Sequence, residues 1–306
     1  MTIYENLRMF DGKYVLDYDP QQPFDSAAAY RLRLEYDDEG SLPELLQQFA
    51  AQVDVSKVQA LVIGMWGEPY ESSVDAVLQA LIELAPRLSQ LRALFVGDIT
   101  SEECEISWIV QGDYSALLQA FPQLQTLQIR GGNGLSLAPF QHANLKKLVI
   151  QSGGLPASVL QALAQSKLPQ LEHLELWLGA EDYGFDGKLE DCQQVVHALR
   201  GPQLRYLGLR DSEISDQIAT WIAGEAWVTQ LATLDLSLGT LGDAGGQALL
   251  DSPYLSGLED LNLEHHYLSE SMQDSLLAKY PDVKLDDAQE ADGDDDEEYR
   301  YVAVSE

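Results

Sequence analysis

Nine stretches of this chain place aliphatic side chains on one template, L-x-x-L-x-L with any aliphatic residue allowed, and that recurrence constrains the fold more than any other feature. The copies read VQALVI from Val58, LRALFV from Leu91, LQTLQI from Leu124, LKKLVI from Leu145, LEHLEL from Leu171, LRYLGL from Leu204, LATLDL from Leu231 and LEDLNL from Leu258. A degenerate ninth, AYRLRL, begins at Ala29, and a truncated VKL spans Val283 to Leu285. Intervals between successive starts run from 21 to 33 residues. One such hexapeptide is common in any soluble protein, whereas nine in near-regular succession describe a unit that repeats.

The segments between copies carry helical periodicity. SVDAVLQALIELAP puts Val74, Val77, Leu78, Leu81, Ile82 and Ala85 on one stripe and ends at Pro86. SDQIATWIAGEAW offers Ser215 as a cap before Ile218, Ala219 and Ile222, and SESMQDSLLAKYP repeats the arrangement with Met272, Leu276 and Leu277. Each unit therefore reads as a strand, a turn and a helix, and it buries its apolar edge only by stacking on its neighbours.

A chain spaced in this way resembles the leucine-rich-repeat family, in its long-repeat, ribonuclease-inhibitor-like branch, over roughly residues 29–285. The resemblance implies an α/β leucine-rich-repeat solenoid, curved, with parallel strands on the concave face and helices on the convex face. The family's Asn or Cys after the strand is missing from most copies, where Gly, Ser, Asp or His stands instead, so looser turns are expected. Residues 1–28, with strand-like KYVLDY and the turn DPQQPF, read as an N-terminal cap over the edge of the first repeat. Residues 286–306 read as an acidic tail: DDAQEADGDDDEE should be solvated and mobile, and YRYVAVSE alternates like a strand. An acidic run with such an ending is similar to a group of bacterial cytoplasmic leucine-rich-repeat proteins with no established activity.

Composition narrows the partners. With 18 basic against 50 acidic residues the net charge is -32, which argues against nucleic acid and anionic membranes as partners. No apolar run reaches the ~18 residues of a membrane span, and the start lacks a secretory pattern. Cys104 and Cys192 stand far apart without Cys-x-x-Cys spacing, so neither a disulfide framework nor a thiolate metal site is expected. These features point to a cytoplasmic setting and leave the oligomeric state open.

Signals for catalysis are weak. There is no Gly-x-Ser-x-Gly, His-Glu-x-x-His or Walker loop; RGGNGL from Arg130 reads as a plain turn and EHHY from Glu264 as a partly exposed one. No cofactor and no metal are expected.

Alternation along each strand sends template positions four and six inward and positions three, five and seven to the concave surface. That surface reads as three zones: an apolar one with Val62 and Phe95, an acidic one with Asp235, Asp260 and Glu264, and between them Arg130, Lys147, His173, Glu175, Trp177, Tyr206 and Arg210. Trp, Tyr and Arg dominate interface hot spots, and Trp177 is expected to be exposed there. Arg130 and Arg210, three strands apart, would span roughly 14 Å, the reach of a peptide segment or a small anion. The alternative is that Arg210 pairs with Asp235 and Lys147 with Glu175 across strands. Long turns after the strands add Trp66, Tyr70, Trp108 and Tyr183 as candidate binding residues of the rim, or as aromatics folded back to close their own loops.

These patterns favour a non-enzymatic scaffold that binds a partner protein or peptide on its concave face and rim. The tail either masks that surface, with the acidic run over the basic patch and YRYVAVSE added at a sheet edge, or stays undocked. The rival reading is an enzyme or accessory subunit for an anionic small molecule, with His173 and Glu175 as the acid–base pair.

Overall fold

The structure is a computed structural model, and it describes residues 3–35, 38–294 and 297–305. A short hairpin, β1 (Met9–Phe10) and β2 (Lys13–Asp17), turns at Asp11 and Gly12, both with positive φ. The strand β2 then lies parallel to β3 (Ala29–Leu32) and covers the edge that the first repeat would otherwise leave open. Eight further parallel strands follow in chain order: β4 (Ala60–Ile63), β5 (Ala93–Val96), β6 (Thr126–Arg130), β7 (Lys147–Gln151), β8 (His173–Gly179), β9 (Tyr206–Ser212), β10 (Thr233–Asp235) and β11 (Asp260–Asn262). Every repeat thus adds one strand beside the last.

Pairing is in register with the template. Leu61, Leu94, Leu127, Leu148, Leu174, Leu207, Leu234 and Leu261 lie side by side on successive strands. All eight belong to one buried cluster that runs along the sheet's inner face. At the degenerate copy the register shifts the reading by two residues. Tyr30 and Leu32 pair with Leu61 and Ile63, so Tyr30 takes the aliphatic place and Arg31 stands beside Val62. An aliphatic-only template misses this because a tyrosine ring fills the position.

Helices α1 (Leu42–Gln52), α2 (Asp75–Leu84), α3 (Ser115–Ala120), α4 (Ala157–Ala164), α5 (Leu189–Leu199), α6 (Ser215–Ala223), α7 (Asp243–Asp251) and α8 (Glu270–Lys279) form the other layer, with α1 on α2, α2 on α3, α4 on α5, α6 on α7 and α7 on α8. Ser41 and Glu44 close a reciprocal capping box at the start of α1, and Ser269 accepts from the Met272 amide at the start of α8. Ser215 is no such cap. It is the first residue of α6, and its hydroxyl is turned inward, donating to the Ser212 carbonyl at 2.7 Å and accepting from the Thr240 amide at 3.2 Å.

Not every unit has a helix. Between β6 and β7 the described residues hold none, because a 21-residue interval cannot fit two turns and a helix. Extended bridges Val110 to Asn133, Asp113 to Ser136 and Gln141 to Lys167 carry the stack across instead. One glycine permits a close approach at the neighbouring strand end: Gly97 has φ +98°, and a Cβ there would meet the Arg130 carbonyl.

The chain beyond the last strand stays ordered where described. Parallel bridges Asn262 to Lys284 and His266 to Ala288 extend the ladder into the acidic run, and β12 (Asp292–Asp294) pairs with β13 (Glu297–Tyr299). The expected mobile run is thus a hairpin on a continued ladder, while residues 295 and 296 lie outside the described residues. EHHY is partly exposed only at its ends, where Glu264 and Tyr267 are half-buried. His265 and His266 are buried and bond to Asp287 and to the Leu285 carbonyl, which ties the acidic run down. No helix among the described residues is long and apolar enough to cross a membrane.

Since each ladder leucine packs between two neighbouring repeats, Leu174→Ala should cost about 3 kcal/mol. Chemical denaturation of the full chain checks this, with loss of far-UV signal at a lower midpoint as the expected outcome.

Candidate functional site

The concave surface is not open, because both ends of the chain fold onto it. At the first repeats Phe10 packs with Ala29, Ala60, Val62, Ala93 and Phe95, its ring 6.0 Å from that of Phe95. The fully buried carboxylate of Asp98, just past β5, fixes this segment. It accepts from the Leu7 amide at 3.2 Å and from Arg31 Nη1 at 2.9 Å, while Asn6 donates to the Asp98 carbonyl and the Ser101 amide to the Ile3 carbonyl. Thr126 Oγ1 donates to Asp11 at 2.9 Å.

Arg130 belongs to this covered region. Only 3% exposed, it donates to the Ile99 carbonyl and to Gln151, lies 3.8 Å from Asp98 and stacks 5.2 Å from the Phe95 ring. Burial lowers its guanidinium to about 10, against the pull of Asp98 and Glu103. The expected open cationic patch joining Arg130 to Arg210 is therefore corrected: Arg130 is internal, its Nε and Nη1 bonded to Gln151 and the Ile99 carbonyl.

The central residues are brought together, as a closed polar cluster. Glu175 accepts from His173 Nε2 (3.3 Å), Trp177 Nε1 (2.8 Å) and Arg210 Nη1 (3.1 Å). Arg210 also reaches Ser237 Oγ (2.9 Å) and Asp235 (3.4 Å), Tyr206 donates to Asp235 (2.8 Å), and the rings of His173 and Tyr206 stack at 3.8 Å. The Arg210–Asp235 pairing expected from the strand register is present. The Lys147–Glu175 pairing is not: Arg210 takes Glu175, and Lys147 has no ion pair among the described residues.

Burial alone would raise the Glu175 carboxyl, but the bonds from His173 and Trp177 and the charge of Arg210 outweigh it and hold it at about 2. Burial also keeps His173 below the ordinary imidazole value, so it serves as a neutral donor. A carboxylate saturated by three donors is a poor general base.

Trp177 corrects the sequence reading most clearly. It is 6% exposed, and what covers it is the chain's own last described segment, since Ile106, Trp177, Leu238 and Val304 form one buried cluster with Ile3 and Ala303 against it. Residues 300–305 cross the carboxyl ends of the strands from β11 back towards β7. The Tyr301 amide donates to the Tyr267 hydroxyl (2.9 Å), Ala303 donates to the Leu238 carbonyl (2.8 Å), Val304 donates to Asp211 Oδ1 (2.9 Å), and Ser305 lies over Gly153. Among the described residues YRYVAVSE therefore adds no strand at a sheet edge, and no carboxylate of the acidic run pairs with Arg130, Lys147 or Arg210.

Asp211 is fully buried at the end of β9, and its second oxygen has no hydrogen-bond partner among the described residues. Burial pushes its carboxyl well up, opposed by the amides of Val304 and Ala303 and by Arg210. Sequence reasoning missed Asp98, Asp211, Ile106 and Val304; the alternation in YRYVAVSE was the one signal that the ending had a place to dock.

On the rim, Trp66 is folded back, its indole donating to the Ser72 carbonyl at 3.0 Å, and Tyr183 is half-buried beside the core residue Phe185. Tyr70 and Trp108 stand out, 46% and 58% exposed.

This ladder of parallel strands with helices behind it defines a leucine-rich-repeat protein. The chain is similar to a Bacteroides fragilis protein of known crystal structure, at 34% identity over 85% of this chain and 74% of that one, with a TM-score of 0.78, and it belongs to the same family. An internalin from Listeria monocytogenes (15% identity, 88% and 75% covered, TM-score 0.37) and the TLR13 chain of a TLR13–ssRNA13 complex (16%, 90% and 41%, TM-score 0.36) also match, at superpositions too loose to carry an argument. No protein-family model and no curated protein matches the chain.

The depressed Glu175 carboxyl gives a pH signature. Its folded value of about 2 lies below its ordinary 4.5, so its stabilising effect is complete above pH 4.5 and is lost as pH falls towards 2. Thermal melts of wild type and Glu175→Gln should differ fully above about pH 5 and converge as pH falls towards 2; a difference that stays constant across that range contradicts the cluster.

Proposed function

We propose that the protein is a non-enzymatic scaffold of the bacterial cytoplasm, of the long-repeat, ribonuclease-inhibitor-like kind, whose concave face grips a partner protein or peptide once the C-terminal segment is displaced. Repeat intervals mostly above 25 residues and a helix in most repeats support that branch, and two free buried cysteines suit a reducing compartment. The observation that carries the reading is the cover on Trp177. A tryptophan on a solenoid's inner face, flanked by Ile106 and Leu238, is shielded by a short terminal segment rather than by the core.

An extended peptide with alternating apolar side chains is what the site already holds, so a partner segment of like pattern is the natural competitor. Beneath it the Glu175, Arg210, Tyr206 and Asp235 network supplies a rigid polar floor, and Arg130 braces the neighbouring repeats. Lys147 and His173 border the open part of the same face. The rim aromatics Tyr70 and Trp108 extend the contact surface.

Covering a competent site divides its apparent affinity by the fraction of time it is open. A chain ending at residue 299 should therefore retain partner proteins from its native cell about tenfold or more better than the full chain, and Trp177→Ala in the shortened chain should abolish the gain. Equal recovery with all three proteins, each verified as folded, contradicts the reading.

A further inference from the structure

The two exposed rim aromatics are held as a pair. The Trp66 indole closes the loop of residues 66–73 and leaves Tyr70 at its tip. In the next loop Ile106 and Ile109 are buried on either side of Trp108, so the short helical turn Ile106–Trp108 cannot roll its indole inward. The Val110 amide donates to the Pro69 carbonyl at 2.7 Å and fixes one loop against the other. Between them lies a cleft of about 340 Å³ lined by Tyr70, Trp108 and residues 101–105, with Glu102, Glu103 and Glu105 among them and no basic side chain. Glu103 is spoken for by Arg33 at 3.1 Å and by Thr100; Glu102 and Glu105 have no ion pair among the described residues.

We propose that this cleft binds an arginine side chain of a partner protein, its guanidinium stacked on Trp108 and Tyr70 and its charge met by Glu102 and Glu105. Aromatic faces flanked by carboxylates select a flat organic cation, since the ring quadrupoles and the acids attract the same charge and a guanidinium supplies a plane to stack. A metal ion does not fit, because no group of three His, Cys, Asp or Glu among the described residues converges as a ligand set. The net charge of -32 draws basic segments towards the whole molecule, and the cleft is where aromatic surface adds to that field. The inference rests on the scaffold reading but uses a surface the C-terminal segment does not cover, so it holds or fails in the full chain without truncation.

The test follows the indole N–H resonances of the full-length protein by NMR, with the Trp108 signal assigned from Trp108→Phe, during titration with acetyl-tetraarginine amide and with its citrulline counterpart, which keeps the shape and loses the charge. The Trp108 signal should shift with the arginine peptide, about fivefold more weakly with citrulline, and about threefold more weakly in Glu102→Gln/Glu105→Gln. A control pair on a distant surface, Glu259→Gln/Glu270→Gln, should leave the titration unchanged. The proposal is overturned if the Trp108 signal stays put, if citrulline matches arginine, or if the control pair weakens binding as much as the cleft pair. A silent Trp108 alongside a gain on truncation would reject this site and leave the concave-face reading standing.

Discussion

Side-by-side stacking of one aliphatic residue per repeat is the constraint on which the rest of this molecule depends. Leu127 lies between Leu94 and Leu148, Leu174 between Leu148 and Leu207, and so along the sheet, each ladder leucine paired only with those of the adjoining strands. Once those positions face the helices, the pleat sends the intervening residues to the opposite face, where nothing in the repeat covers them. An apolar or aromatic side chain at such a position needs another source of burial, and here the two chain ends provide it.

The two ends are fastened by the same device. A buried aspartate at the carboxyl end of a strand accepts a backbone amide from the incoming segment: Asp98 from Leu7 at the N-terminal side, Asp211 from Val304 at the C-terminal side. The two sites differ in how well the charge is compensated. Asp98 also holds Arg31 and lies near Arg130, whereas one oxygen of Asp211 has no hydrogen-bond partner among the described residues and its carboxyl is pushed up by burial. A carboxylate that loses solvation without full compensation makes its contact less favourable. On the proposed function the N-terminal segment is the fixed cover and the C-terminal segment the releasable one, which is why that proposal turns on residues 300–305.

Much of the fold was legible because the ladder is periodic. The strands, their order and most of the helices behind them follow from the template, whereas the unit after β6, read as strand, turn and helix like the others, holds no helix among the described residues. Three kinds of feature were not legible. Tyr30 stands in for an aliphatic residue and shifted the first register by two. The burial of His265 and His266 depends on the acidic run returning over them, which local sequence does not encode. The burial of Trp177 depends on segments more than a hundred residues away, and that of Arg130 on groups of the adjoining repeats such as Phe95, Ile99 and Gln151; a strand pattern states which face a side chain takes but not what lies on that face. Trp177 and Arg130 were therefore placed on the right strands and misjudged in accessibility, while Tyr70 and Trp108 stand exposed as candidates of the rim.

Amide hydrogen exchange of residues 300–305 in the full-length protein bears on this account most directly. If the segment is docked through Asp211 and Leu238, its amides exchange about 100-fold or more slowly than those of an unstructured peptide, and Asp211→Ala removes that protection while the strand amides of β6 to β9 keep theirs. Exchange at the unstructured rate in the wild type would mean that Trp177 lies open, and both the self-covering surface and the function drawn from it would fall.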